Sequence, residues 1–94
     1  MSEIKTKFEM LTEQLDIRVG EIASYQTNID NFLRAIKKIE IFHSGDTFLD
    51  IEMCKFKDHL EKLLNQHYVE QRKSQIMLEV IQDQINELNT EKKE

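Results

Sequence analysis

The chain's 94 residues suit one domain, near the size at which a compact core becomes marginal. With 18 acidic against 13 basic residues and a formal charge of -5, it lacks the cations that neutralise phosphate in a nucleic-acid binder, and its charge is wrong for an anionic membrane surface. A single cysteine, Cys54, excludes an internal disulfide framework, and no apolar run approaches the ~18 residues of a membrane span.

Proline is absent and there are only two glycines, a composition suited to long helices. In the first half Ile4, Phe8, Leu11, Leu15, Arg18, Ile22, Tyr25, Ile29, Phe32, Ile36, Ile39 and His43 follow one another at alternating steps of four and three. That spacing places all of them on one stripe of one α-helix, the seam of a coiled coil. The reading is a helix over about residues 2–42, with Ser2 as N-cap, Glu3 in its first turn, and Lys37 and Lys38 favouring its C-terminal dipole. Gly20 costs a helix about 1 kcal/mol relative to Ala. The repeat keeps its phase from Leu15 through Arg18 to Ile22, so the helix is expected to continue past it.

The concentrated turn signal is His43-Ser44-Gly45-Asp46-Thr47, which sets the turn at 43–47. Gly45 can take positive φ, Asp46 or Thr47 can cap the next helix, and Asp50 and Glu52 suit its N-terminal dipole. A second helix is expected over about 47–90, with a frayed end at 91–94. Its stripe is broader and less regular: Leu49, Met53, Phe56, Leu60, Leu63, Leu64 and His67, then Met77, Leu78, Ile81, Ile85 and Leu88. Between these runs lies the polar stretch Glu70-Gln71-Arg72-Lys73-Ser74-Gln75.

Two long helices joined by a short turn give an all-α antiparallel helical hairpin filling a single domain, 1–94. Folding about Gly45 makes residues whose numbers sum to about 90 face one another, which sets Arg18 opposite Glu70, Gln71, Arg72 and Ser74. This layer, with Tyr25 and His67 nearer the turn, is the candidate polar site. It reads first as a registry device that fixes helix alignment at some cost in stability. The sharper alternative is a pocket for an anionic ligand with Arg18 as clamp.

Other chemistry finds little support. His43, His59, His67 and Cys54 lack the spacing of convergent metal ligands. No serine or cysteine sits in a nucleophile elbow, and two glycines 25 positions apart cannot form a phosphate loop. No cofactor, metal or catalytic residue is expected, and the chain reads as a non-enzyme. The segment Met1-Ser2-Glu3-Ile4-Lys5 lacks a signal peptide's apolar stretch, so a cytoplasmic protein is expected.

Apolar residues remain after the seam is subtracted: Met10, Ile17, Val19, Leu33, Ile41 and Phe42 in the first half, and Ile51, Val69, Ile76 and Val80 in the second. A two-helix hairpin buries one stripe per helix, and surplus apolar surface marks an interface. These residues are the candidate contacts with a helical protein partner or a second copy, giving a homo- or hetero-oligomer such as a four-helix bundle. No nucleic-acid binding or membrane insertion is expected.

A chain of this length folded at its midpoint, with Gly45 in the turn, resembles the WXG100-type proteins of type VII secretion and the small proteins that accompany LXG toxins. The turn reads Phe42-His43-Ser44-Gly45, with no Trp where the family's W-x-G would stand. Phe42 and Asp46 fit an F-x-x-x-D pattern but lie at the turn rather than in the C-terminal segment, so the family's export role is not carried over to them. The resemblance implies a noncatalytic accessory, targeting or chaperone-like partner of a secreted toxin, exported with it and without a cleaved signal peptide. The alternative is a small phage-type inhibitor or ligand-binding antagonist of a host defence system, acting through the polar layer or an acidic face. A coiled-coil spacer is a third reading.

Overall fold

The structure, a computed structural model, describes residues 2–42 and 44–93. It is a helical hairpin of two long helices, α1 (Ser2–Glu40) and α2 (Thr47–Lys93), with no strand among the described residues. The expectations placed on the Ser2 and Ile4 side chains and on His43 fall outside the described residues.

α1 passes Gly20 without a break, and a Cβ added there would meet nothing within 4 Å. It ends two residues earlier than the repeat suggests. The last turn closes with Ile41 N–H on the Lys37 carbonyl at 3.3 Å and Phe42 N–H on that of Ile39 at 3.1 Å. α2 starts where expected and remains helical to Lys93, three residues beyond the expected end at 90, with no Gly or Pro to stop it; Glu94 lies outside the described residues.

The connection is built from local hydrogen bonds. Gly45 takes φ 78°, a left-handed conformation costly for a residue with a Cβ. Asp46 is the N-cap of α2: its Oδ1 accepts the N–H groups of Phe48 at 2.9 Å and Leu49 at 3.2 Å. Asp50, in the first turn, accepts from the Ser44 hydroxyl at 2.7 Å and the Ser44 N–H at 3.3 Å, tying the loop to the helix it precedes.

The chain divides into two compact units, Tyr25–Glu70 and Met1–Ser24 with Gln71–Glu94. In the first, Ile29, Ile36, Leu60 and Leu64 form the buried core, with Phe32, Ala35 and Ile39 packed against it. Ile29 is 1% exposed, and burying such a side chain contributes roughly 1.5–3 kcal/mol. In the second, Ile81, Gln71 and Ser74 are buried, while Leu11, Leu15, Ile22, Leu78, Ile85 and Leu88 are partly so.

α1 presents its 4-3 stripe as the spacing predicts, apart from Phe8, which is 40% exposed. α2 departs from its expected stripe. Its sheltered line runs through Asp50, Met53, Lys57, Leu60, Leu64, His67, Gln71, Ser74, Leu78, Ile81, Ile85 and Leu88, a strict alternation of threes and fours, with Leu63 and Gln75 partly sheltered beside it. Polar side chains hold five of these places, and the apolar Leu49, Phe56 and Met77 sit one position off the line and are exposed. An apolar count therefore blurs a repeat that the backbone follows exactingly.

The register also differs. Glu40 meets Lys57 and Tyr25 meets His67 in one unit; Ile22 meets Gln71 and Arg18 meets Met77 in the other. The facing numbers sum to about 95, not 90. α2 is the longer helix, 47 residues against 39, and the surplus lies at its start. There Phe42, Asp50, Met53 and Cys54 line one groove, so the segment after Glu40 runs beside the first turns of α2 before Gly45 reverses it.

Ile29→Ala is expected to cost about 2–4 kcal/mol in chemical denaturation, and Leu33→Ala, on the exposed side of the same helix, under about 0.5 kcal/mol. Equal losses would place the seam elsewhere. Gly45→Ala is expected to cost about 1–2 kcal/mol through its left-handed φ, despite open space around it.

Candidate functional site

The polar cluster of the unit Met1–Ser24 with Gln71–Glu94 centres on Glu21, a residue that the apolar spacing passes over. One of its carboxylate oxygens, Oε2, accepts from Arg18 Nη1 at 3.2 Å on its own helix and from the Ser74 hydroxyl at 3.0 Å on α2. Ser74 is 4% exposed, so this is a sheltered, charge-assisted bond between the helices. One turn away, the buried Gln71 donates its side-chain N–H to the Ile22 carbonyl of α1 at 3.2 Å. Both buried polar residues of α2 thus find partners on α1, as burial demands.

Arg18 makes its ion pair and hydrogen bonds with other residues than a sum of 90 assigns to it, although Ser74 shares the Glu21 Oε2 with it. Its guanidinium lies between Glu21, the Gln14 Oε1 at 3.3 Å and the Met77 Sδ at 3.8 Å. Its Nε is buried and has no hydrogen-bond partner among the described side chains, a cost of about 1–3 kcal/mol for such a group. The shifted register explains the correction: α2 slides by about five residues, which brings Met77 to Arg18 and Ser74 to Glu21. Glu70, expected to pair with Arg18, is exposed. The legible sign of Glu21 is its i+3 spacing from Arg18, the ion-pair distance on a helix.

Tyr25 and His67 belong to the other unit, Tyr25–Glu70. The His67 ring stands edge-on to Phe32 at 5.0 Å between centroids and to Tyr25 at 5.8 Å, two residues seven apart on the α1 stripe. Its Nδ1 lies 2.8 Å from the Leu63 carbonyl; since a carbonyl only accepts, that nitrogen carries the proton. His67 is therefore held as a packing residue, with edge-on aromatic contacts of a favourable kind. In the same unit Lys57 occupies a seam position and reaches out to Glu40 at 3.5 Å and Glu61 at 3.9 Å.

No group of three His, Cys, Asp or Glu side chains converges to hold a metal ion among the described residues. Cys54 is free and exposed. No described helix is long and apolar enough to cross a membrane.

The surface carries the rest of the candidates. Met10, Ile17, Val19, Leu33, Ile41, Phe42, Val69, Ile76 and Val80 are all exposed, as is Ile51. Phe48 joins them as the most exposed large apolar side chain among the described residues, at 80%, together with Leu49, Phe56 and Tyr68. Phe48 stands two residues after the N-cap Asp46, in the first turn of α2. No family model, no curated protein and no solved structure matches this chain.

The polar bridge has a quantitative test. Arg18→Glu is expected to destabilise the fold and Glu21→Arg, added to it, to recover part of the loss, whereas Glu70→Arg recovers none. In a cycle of Glu21→Gln and Ser74→Ala, the coupling read from urea denaturation is expected at about 0.5–1.5 kcal/mol; a coupling near zero would mean that the two side chains do not meet.

Proposed function

We propose that this chain is a noncatalytic protein–protein interaction module whose exposed helical faces are covered by helices of another polypeptide. One observation carries the reading. Among the described residues sixteen large apolar side chains are exposed, against five apolar residues that are buried. Scattered exposure is ordinary, but five of the sixteen, Ile41, Phe42, Phe48, Leu49 and Ile51, fall within eleven consecutive positions at the connection. A hairpin of this kind gains nothing for its own stability by holding them in water.

The layout likeness to the small partners of type VII toxins supports a partner class, the helical N-terminal domain of a larger exported protein. On this reading the chain meets its partner in the cytoplasm and leaves with it. The competing reading, an anion-binding antagonist, finds less support in the geometry. The Arg18 guanidinium already faces the Glu21 carboxylate, which repels a second anion.

Ile41→Asp and Phe48→Asp test the module directly, because the two side chains are 73% and 80% exposed and their loss leaves the core intact. Thermal melting is expected to stay within ~0.5 kcal/mol of the parent. Co-expressed with a helical toxin domain encoded beside this chain, the double variant is expected to lose co-elution in size-exclusion chromatography. Unaltered co-elution, or no complex for the parent chain, would count against the proposal.

A further inference from the structure

One row of apolar residues lies beside the seam and runs from the connection along α2. Leu49, Phe56 and Leu63 stand seven apart on α2, on the flank next to the seam residues Met53 and Leu60. Leu49 and Phe56 are 43% and 48% exposed, and Leu63 is partly buried. Glu52 and His59, both exposed, border the row on its outer side. All five lie in the unit Tyr25–Glu70.

The row reads the same in both directions: leucine, phenylalanine, leucine. In a two-fold, isologous contact residue i meets j while j meets i, so a row of this kind sets leucine against leucine about a central phenylalanine pair. Laid antiparallel on its own copy, with the axis beside Phe56, α2 sets Leu49 against the other copy's Leu63 and the two Phe56 rings against each other. Glu52 lies four residues before the axis and His59 three after it, so the same pairing sets each carboxylate opposite an imidazole. Lys55 pairs with Glu52 at 3.2 Å on the same helix, an exposed ion pair that is weak in water.

We propose that this face docks a second copy of the chain, producing a two-fold assembly of four helices with α2 against α2. The proposal rests on the interaction-module reading and names one of its occupants. The row spans fourteen residues, roughly 21 Å of helix. A contact of that length is short for a permanent interface and suits a transient, concentration-dependent dimer.

Sedimentation equilibrium of the full chain across 1–200 micromolar reads the stoichiometry. The parent is expected to shift from monomer to dimer over that range, and Phe56→Glu, which places two carboxylates on the axis, to weaken dimerisation at least tenfold with unchanged helical circular dichroism. A second set of variants, in a Cys54→Ser background, reads the axis itself. Phe56→Cys alone is expected to link to its own copy with a short bis-maleimide. Leu63→Cys alone is expected not to link, and its mixture with Leu49→Cys to do so. A parent that stays monomeric throughout, a dimer that withstands Phe56→Glu, or linkage at residue 63 rather than 56 would each overturn the proposal. A monomer that still co-elutes with a toxin domain would do so while leaving the interaction module standing.

Discussion

Everything in this hairpin depends on one narrow contact: a stripe two side chains wide, repeated every seven residues, on which each helix shelters the other. With no third layer among the described residues, a residue is covered only if it lies on that line or directly beside it. The strict 3-4 alternation keeps the line in place along both helices, since each departure would turn a seam residue to water. Isoleucines and leucines supply most of the burial, with Ile29, Ile36, Leu60 and Leu64 at its densest point.

The polar members of the line give the contact its alignment. Leucine against leucine fits almost equally well one heptad away, whereas a hydroxyl bonded to Glu21 and an amide bonded to the Ile22 carbonyl fit at one offset only. Slippage would leave Gln71 and Ser74 buried without partners, a penalty of about 1–3 kcal/mol for each. Specificity of register is therefore concentrated in two side chains of α2, and bulk stability in the apolar core. The orphaned Arg18 Nε shows that this polar arrangement carries a cost.

The sequence made the architecture plain and its offset obscure, for separable reasons. α1's stripe is apolar at all but one described place, so spacing alone traced it. α2's stripe includes Asp50, Lys57, His67, Gln71 and Ser74, while Leu49, Phe56 and Met77 lie beside it, and hydrophobicity pointed to the wrong positions. Counting from Gly45 treated the turn as tight, although the chain after Glu40 first follows α2. That assumption displaced the pairing by about five residues and matched Arg18 to the wrong partners. The surplus apolar residues were easier to find, because any residue off a single stripe has nowhere to hide in a two-helix fold.

The segment 41–46 does not hold the helices in alignment; the side chains on their shared line do. Residues could be added to or removed from it with modest entropic effect, since closure cost grows only logarithmically with length. A change in its sequence can therefore alter what the tip presents to the outside while the pairing of the two helices stays as it is.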